Sequence, residues 1–239
     1  MYKIEREIEM QFKQWEEIPE FMQNEEVKLY YDILSKKRFQ LKVKRFFDIL
    51  ISLTLIILLS PVFLIVSFWI KLDSEGPIFY KQERVTQYGR KFYIIKFRTM
   101  VVNADQMGTL ITTAHDSRIT KAGEKIRKLR IDEIPQLFNI MIGDMSFVGT
   151  RPEVPQYVMA YTDEMKATLL LPAGVTSEAS ILYRDEDKLL KNVENVDEIY
   201  VREILPVKMK MNLNSIKKLS VLYELDIIVK TVFAVLVIN

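Results

Sequence analysis

The stretch ILISLTLIILLSPVFLIVSFWI, residues 49–70, decides how the rest of the chain has to be arranged. It runs for 22 residues without a charged side chain. As a straight helix it would measure about 33 Å, which is long enough to cross a bilayer. More than 40 residues precede it and no small-residue cleavage pattern follows it, which does not fit a cleaved signal peptide. The sequence therefore predicts a membrane segment that is retained.

Charges on the two flanks of this segment predict that both of its ends face the same side of the membrane. The approach from Lys36 to Arg45 holds six cations and no acid, which the positive-inside rule places in the cytoplasm. The stretch from Lys71 to Arg98 holds seven cations and three acids, so the same rule does not place it outside. Both ends are therefore expected on the cytoplasmic face.

Ser60 and Pro61 interrupt the apolar run near its middle. Proline cannot donate a hydrogen bond to the preceding turn and its ring clashes with that turn, so a helix that reaches Pro61 kinks or breaks. The Ser60 hydroxyl can bond a carbonyl that the break leaves free. Two arrangements fit this pattern: a helix-break-helix that enters and leaves one leaflet, and a kinked helix that spans the bilayer once.

The composition limits the chemistry that this chain can perform. It has no cysteine and a single histidine, His115, which excludes disulfides, zinc–thiolate sites, iron–sulfur clusters and multi-histidine metal sites. No G-x-S-x-G elbow, phosphate loop or dinucleotide fingerprint occurs among its seven glycines. Carboxylates, lysines and arginines must therefore carry out any catalysis. We expect no nucleic-acid partner.

Hydropathy patterns outside the apolar run predict a mainly α fold with a small β-hairpin (α+β). Residues 78–100 alternate apolar and polar side chains around Gln87-Tyr88-Gly89, which indicates the hairpin. Residues 1–35 have rough helical spacing, which suits helices on the membrane or against the body, or a solvated extension. The expected parts are an N-terminal amphipathic and basic extension (1–43), a re-entrant membrane helix (44–72), a compact cytoplasmic catalytic domain (73–205) and C-terminal interfacial helices (206–239).

Asp132 and Glu133 stand at the start of a predicted helix over residues 133–141. Acids followed by Pro135 and an apolar run are typical of a helix N-terminus. At the positive end of a helix dipole the two carboxylates are expected to stay ionised, and free backbone N–H groups face any anion that comes near. On a simpler interpretation the two acids only cap the helix.

Five cations are candidates to bind a phosphate beside this acidic pair. Several cationic side chains around two carboxylates, with room for a divalent cation, form a site suited to a diphosphate. Each cation taken alone is an ordinary surface charge, so this interpretation requires that they converge in space. The candidate phosphate- and substrate-binding residues are Lys96, Arg98, Arg118, Arg127 and Arg151.

An ordered set of motifs from Lys44 to Leu236 carries a family resemblance. The motifs are KRFFD, the Ser-Pro break, SEGPIFYKQERV, KFRTM, D-x-R-x-T-x-x-G, DEIPQLFN, GDMSFVG and Thr-Arg-Pro. In this order they resemble the bacterial sugar transferases of the monotopic phosphoglycosyl transferase superfamily. Two departures from the family pattern stand out: Thr150 replaces the first proline of a Pro-Arg-Pro turn, and residues 172–186 differ from the usual glycine-rich stretch.

This resemblance implies a reaction and a location. The reaction is transfer of a sugar 1-phosphate from a UDP-sugar to a polyprenol phosphate such as undecaprenyl phosphate, with release of UMP, at the start of surface polysaccharide or glycan assembly. The implied location is the inner leaflet of the bacterial cytoplasmic membrane, with a re-entrant helix at Ser60-Pro61 and the catalytic domain on the cytoplasmic face. The transferred sugar is not implied.

The resemblance also implies roles for individual residues. Asp132 resembles the nucleophile that forms a covalent aspartyl-phosphosugar, and Glu133 resembles its partner in holding Mg²⁺. Arg151 resembles an arginine that holds phosphate. The competing interpretation is a non-catalytic, membrane-anchored assembly protein on the same scaffold. Whether the chain forms a homodimer is left open.

Overall fold

Helices and short strands alternate along the chain in the computed structural model, which describes residues 12–104, 116–184 and 195–236. The helices are α1 (Glu25–Ser35), α2 (Arg38–Leu58), α3 (Ser60–Asp73), α4 (Lys121–Lys128), α5 (Gln136–Ile142), α6 (Pro155–Val158), α7 (Glu178–Leu182), α8 (Val196–Ile199), α9 (Leu205–Lys218) and α10 (Val221–Leu236). The strands are β1 (Phe79–Val85), β2 (Lys91–Phe97), β3 (Met145–Val148) and β4 (Ala173–Thr176). Single turns of 3₁₀-helix lie at Trp15–Glu17 and Glu20–Met22, a longer 3₁₀ segment at Met165–Leu170 and a π-helical segment at Tyr200–Ile204. The predicted mainly α class with a small β part is confirmed.

The apolar run forms a bent pair of helices with its break at the predicted position. α2 and α3 are bent by 60° where Leu59 separates them. The Ser60 hydroxyl donates to the Ile57 carbonyl at 2.8 Å, and Pro61 lies in the first turn of α3, where its missing N–H costs little. Among the described residues no single helix is long and apolar enough to cross a membrane, and only this bent pair meets both criteria when its two helices are taken together.

The sequence pattern predicts one of the two sheets and not the other. β1 and β2 pair antiparallel with Phe79 opposite Phe97, as the alternating pattern predicts. β3 and β4 pair parallel with Met145 opposite Ala173, and the sequence did not indicate this second sheet. Each of these strands has four residues, which is too short for a recognisable alternation. The hairpin is therefore confirmed and the parallel pair is an addition.

The largest apolar cluster joins the N-terminal segment to α9. The N-terminal segment contributes Met22 and Leu34, and α9 contributes Met209 and Leu213, all of them buried. Residues 12–35 of the N-terminal extension therefore pack against the body, one of the three arrangements considered for it, and residues 1–11 lie outside the described residues. The apolar side of α9 is buried in the core, and the interfacial position predicted for residues 206–239 stays a prediction.

The apolar side of α10 is exposed, unlike that of α9. Leu222, Val229 and Phe233 are spaced along one side of α10 and are 80%, 51% and 63% exposed. The exposed side chains of α2 and α3 are also largely apolar, and they include Ile57, Leu58, Leu64, Ile65 and Phe68. The predicted interfacial position thus fits α10, where it stays a prediction.

The KRFFD motif attaches α2 to the rest of the protein. Arg45 donates to the carbonyls of Ile140 and Met141 at 2.6 and 2.9 Å, in the last turn of α5, where its positive charge lies at the negative end of the helix. Asp48 accepts a hydrogen bond from the Phe147 N–H of β3 at 3.2 Å. One turn of α2 thereby fixes the bent pair to both the helix and the strand that follow the acidic pair.

Candidate active site

Asp132 and Glu133 lie in a turn that leads into α5. Gln136 is the first residue of that helix, so the predicted start at residue 133 is three residues too early. The peptide N–H of Gln136 donates to the Glu133 carbonyl at 2.9 Å, and the N–H of Phe97 donates to the Asp132 carbonyl at 2.9 Å. The second of these bonds joins the turn to the end of β2. It therefore places the acidic pair beside Lys96.

Two of the five predicted cations converge on Glu133. Lys96 Nζ lies 2.7 Å from Glu133 Oε1, and Arg151 Nη2 lies 2.6 Å from the same oxygen. The side chains of Lys96 and Glu133 are 22% and 27% exposed, and that of Arg151 is 38% exposed. At this burial the charges are only partly screened by water, so the carboxylate and the two cations hold one another in place.

The two adjacent carboxylates have opposite pKa shifts. Burial raises the pKa of Asp132 above its ordinary value, although the charges of Lys96 and Arg127 act against this shift. Burial would also raise the pKa of Glu133, but Arg151 and Lys96 outweigh it and hold this pKa well below its ordinary value. Relative to an ordinary carboxyl group, these directions favour the ionised form of Glu133 and disfavour that of Asp132, and the expectation that a helix terminus keeps both carboxylates ionised stays a prediction. For Asp132, burial is the larger effect.

Two of the other three predicted cations have partners away from Glu133, and the third, Arg127, lines the same cleft. Arg98 donates to the carbonyls of Ser74, at 2.8 Å, and of Glu75. Arg118 pairs with Asp116, with 2.5 Å between Nη2 and Oδ2, and donates to the Ala104 carbonyl at 2.8 Å. These contacts give Arg98 and Arg118 a structural role in holding loops beside the site. Their predicted phosphate contacts stay predictions.

Neighbouring strands hold the Thr-Arg-Pro turn, residues 150–152, from one side. A Cβ on Gly174 would lie 2.2 Å from the Gly149 nitrogen, so only glycine allows this close approach of two backbones. The approach lets the Gly174 N–H donate to the Thr150 carbonyl at 2.8 Å. The turn is therefore fixed next to β4 although Thr150 replaces the family's proline.

A second set of contacts holds the turn from the other side. The Arg84 guanidinium donates to the Pro152 carbonyl at 3.0 Å, and the Val85 N–H donates to the Glu153 carbonyl at 3.0 Å. The Tyr200 hydroxyl donates to Glu153 Oε1 at 2.6 Å, and Lys208 Nζ donates to the Tyr200 oxygen at 2.9 Å. These contacts connect β1 and α9 to the residues that follow Arg151.

One cleft of about 1120 Å³ brings all the predicted site residues together. Its lining includes Asp132, Glu133, Lys96, Arg98, Arg118, Arg127 and Arg151. We call the part around Lys96, Asp132, Glu133 and Arg151 the polar end. The remaining wall includes apolar side chains, and we call the part formed by Leu55, Leu59, Leu137, Phe147 and Val175 the apolar arm. Lys96 and Arg151 therefore meet at Glu133, whereas the other three candidate cations line the same cleft, and a common phosphate site stays a prediction.

The donor groups of the polar end suit a hard divalent cation bound together with a phosphate. Mg²⁺ in proteins is commonly held by one or two carboxylates and by substrate oxygens. Both cations contact Glu133 through Oε1, and among the described residues no contact to its second oxygen is seen. The described part of the chain contains no cluster of three or more acidic, histidine or cysteine side chains suited to a metal. Asp132 and Glu133, together with substrate oxygens, would hold such an ion, and its binding stays a prediction.

Three residues beside the site were missed in the sequence. Arg84 and Glu153 hold the Thr-Arg-Pro turn, and Glu153 could have been noticed because it directly follows that motif. Gln136 lines the cleft and stands three residues after Glu133, a spacing that puts two side chains on the same face of a helical turn. Nothing in the sequence separates Arg84 from other cations of the hairpin.

Comparisons with known proteins identify relatives of this chain. A 144-residue segment, 59% of this chain, is 40% identical to UDP-N-acetylgalactosamine-undecaprenyl-phosphate N-acetylgalactosaminephosphotransferase of Aeromonas hydrophila and covers 34% of it. Over 125 residues, 52% of this chain, it is 39% identical to a putative undecaprenyl-phosphate N-acetylgalactosaminyl 1-phosphate transferase of Bacillus subtilis (strain 168) and covers 70% of it. Over 195 residues, 80% of this chain, it is 30% identical to UDP-glucose:undecaprenyl-phosphate glucose-1-phosphate transferase of Escherichia coli (strain K12) and covers 39% of it.

The matches to individual relatives cover only part of this chain or of the relative, whereas the match to the family model covers most of this chain. The chain spans about a third of the length of the Aeromonas protein and about two fifths of the Escherichia protein. The family model for bacterial sugar transferases, in contrast, matches residues 39–238, which is most of the chain. The resemblance inferred from the motifs is confirmed, and the chain belongs to the bacterial sugar transferase family.

Proposed function

We propose that this chain transfers a sugar 1-phosphate from a UDP-sugar to a polyprenol phosphate and releases UMP. The observation that carries the proposal is the polar end of the cleft, where a half-buried aspartate stands next to a glutamate paired with two cations. Three relatives whose names include undecaprenyl phosphate support the same reaction class. The identity of the sugar is not part of the proposal.

In the first half-reaction the Asp132 carboxylate attacks the β-phosphorus of the UDP-sugar. A bond forms between a carboxylate oxygen and phosphorus, the bond between phosphorus and the oxygen bridging to the α-phosphate breaks, and UMP leaves with that electron pair. The sugar phosphate is then held as an acyl phosphate on Asp132. Arg151 and Lys96 neutralise negative charge that develops on the phosphate oxygens, which lowers the barrier most when they are already in position.

In the second half-reaction the acyl phosphate passes to the lipid. A phosphate oxygen of polyprenol phosphate attacks the same phosphorus and the bond to Asp132 breaks. This regenerates the carboxylate and leaves the sugar linked to the lipid through a diphosphate. Asp132 and Glu133 would hold Mg²⁺, which would neutralise the repulsion between the anionic carboxylate and the anionic diphosphate.

Labelled UMP tests this two-step mechanism. Wild-type protein with Mg²⁺ is incubated with a panel of UDP-sugars and undecaprenyl phosphate, and UMP release is measured. Exchange of labelled UMP into the UDP-sugar is then measured without lipid. We expect release with at least one donor, exchange without lipid, and loss of both in Asp132→Asn. The matched control is Asp163→Asn, which removes the charge of an aspartate whose side chain is 61% exposed.

Three outcomes would contradict the proposal. Exchange that persists in Asp132→Asn would exclude Asp132 as the nucleophile. A wild-type protein that exchanges UMP only when lipid is also bound would indicate direct transfer through a ternary complex. Silence with every UDP-sugar would favour the non-catalytic assembly protein.

For the membrane, we infer that the bent pair α2–α3 lies in the inner leaflet with both ends in the cytoplasm. The 60° bend and the exposed apolar side chains of both helices support this arrangement. The chain has no native cysteine, so single cysteines can be placed at the exposed positions Lys36 and Glu75, before and after the pair. We expect both to resist an impermeant thiol reagent added outside the cells. Labelling at position 75 but not at position 36 would instead show a single span.

A further inference from the structure

Gln136 is a buried side chain whose polar atoms have no partner. It is 1% exposed, and among the described residues neither its Oε1 nor its Nε2 makes a hydrogen bond. Asn139, one turn later in α5, is also 1% exposed, but its side chain accepts from the Ile95 N–H at 3.0 Å and donates to the Tyr93 carbonyl at 2.8 Å. The same short helix therefore contains one satisfied carboxamide and one unsatisfied carboxamide.

An unpaired buried carboxamide needs an explanation. About 90% or more of buried polar groups in proteins have a hydrogen-bond partner, and an apolar side chain of similar size at the same place is usually neutral or stabilising. Neither atom of the Gln136 carboxamide therefore contributes a hydrogen bond to the fold. This makes a functional partner the more economical explanation.

The surroundings of Gln136 indicate the chemistry of that partner. The residue lines the cleft three positions after Glu133, and the side chains of the apolar arm line the same cleft. Leu55 and Leu59 of this arm belong to the bend, where Ile57 and Leu58 are 64% and 67% exposed. A cleft that is lined both by this apolar cluster beside the exposed bend and by the polar end suits a long hydrocarbon carrying a phosphate better than it suits a nucleotide sugar.

We propose that the Gln136 carboxamide binds the phosphate of the lipid acceptor, with Nε2 donating to a phosphate oxygen while the hydrocarbon lies along the apolar arm. Both carboxamide atoms are covered in the conformation described, so the proposal includes a change of rotamer. A glutamine side chain can make this change, and it breaks no hydrogen bond in doing so. The proposal rests on the proposed function and assigns Gln136 to its second half-reaction.

The test separates the two half-reactions and measures stability as well. In Gln136→Leu, and in Gln136→Met as a second variant, we expect kcat/KM for undecaprenyl phosphate to fall about tenfold or more, as the loss of one hydrogen bond to a charged group predicts. UMP exchange without lipid should stay within about twofold of wild type. The Tm should be unchanged or higher, because an unpaired polar group has been removed from the interior. The matched control Asn139→Leu loses two hydrogen bonds and should lower the Tm.

Each other outcome overturns the proposal in a distinguishable way. Unchanged lipid kinetics in both Gln136 variants would overturn it while the proposed function stands. Equal losses in exchange and in lipid transfer would assign Gln136 to the donor, and a lowered Tm with loss of both would assign it to the fold. A wild-type protein that is inert with every UDP-sugar would overturn this proposal together with the proposed function.

Discussion

The polar end and the apolar arm of the cleft differ in whether the polar groups beside them have partners within the protein. At the polar end the charged side chains satisfy one another, since Lys96 and Arg151 both contact Glu133. Gln136, which directly precedes Leu137 of the apolar arm, has a buried carboxamide without a partner among the described residues. The polar end is therefore preorganised by the protein, whereas the carboxamide beside the apolar arm is the group that we propose a ligand satisfies. Substitutions at the polar end should reduce both activity and stability, and those at Gln136 should reduce activity alone.

Among changes that leave Asp132 in place, the largest effect is expected for Glu133→Gln. This change removes the charge of the acceptor of two charge-assisted hydrogen bonds and leaves Lys96 and Arg151 close together without the carboxylate that pairs with both. A loss of about 3 kcal/mol would lower the rate of UMP exchange about a hundredfold. The control is Glu83→Gln, because Glu83 forms an exposed pair with Lys91 at 2.9 Å. Equal exchange rates in the two variants would show that the polar end does not depend on this carboxylate.

Arg151→Lys comes next, because it retains the charge but loses the planar guanidinium. A fork that can hold two phosphate oxygens becomes a single ammonium contact. We expect kcat for UMP release to fall about ten- to a hundredfold, corresponding to one charged hydrogen bond of ~1.5–3 kcal/mol in the transition state. The conservative change Lys91→Arg, at an exposed cation of the hairpin, is the control. Wild-type kcat in Arg151→Lys would mean that Arg151 serves only to pair with Glu133.

A smaller effect is expected for Tyr200→Phe, which removes the hydroxyl that holds Glu153 behind Arg151. The matched control is Tyr30→Phe, since Tyr30 donates to Glu164 at 2.6 Å just as Tyr200 donates to Glu153 at 2.6 Å. Tyr30 and Tyr200 are 3% and 2% exposed. Both variants should lose stability, and Tyr200→Phe should lose more because its oxygen also accepts from Lys208. Only Tyr200→Phe should lower kcat, by about fivefold for a bond of about 1 kcal/mol. An equal kcat in the two variants would remove Tyr200 from the positioning of Arg151.

The smallest change is a shift of a pH profile in Arg127→Gln. The charge of Arg127 lowers the pKa of Asp132, so its removal should raise this pKa further above the ordinary value. The ionised carboxylate is the nucleophile, so UMP exchange at saturating donor should decline as the pH is lowered. In Arg127→Gln this decline should occur at a higher pH than in wild type. The control is Arg202→Gln, because the Arg202 side chain is 76% exposed and pairs with Glu198. This change should leave the pH profile of UMP exchange unchanged. If the decline occurred at a lower pH in Arg127→Gln than in wild type, Asp132 would not be the group whose protonation stops the exchange.

Local signals in the sequence were enough for the elements that are decided by neighbouring residues. The break at Ser60-Pro61 follows from the chemistry of proline, and the hairpin follows from an alternation that runs through two seven-residue strands. The start of α5 was placed three residues too early, because acids and a proline precede this helix whether they lie in its first turn or in the turn before it.

Local sequence patterns did not predict the contacts between residues that are distant in the chain. The pairing of β3 with β4 joins Met145 to Ala173, and the packing of α9 against the N-terminal segment joins residues far apart in the sequence in one core. The five candidate cations look alike in the sequence, yet two contact Glu133 while Arg98 and Arg118 hold loops. Which cation takes which role depends on the path of the chain between them.

By itself the sequence determined the family, the bent apolar pair and the acidic pair at residues 132 and 133, because each is written in consecutive residues or in an ordered set of motifs. Only the tertiary structure decided that Asp132 and Glu133 have opposite pKa shifts and that Gln136, unlike Asn139, lacks a partner. The physical reason is that burial and charge pairing depend on which side chains meet across the fold, and adjacent residues of one turn can meet entirely different neighbours.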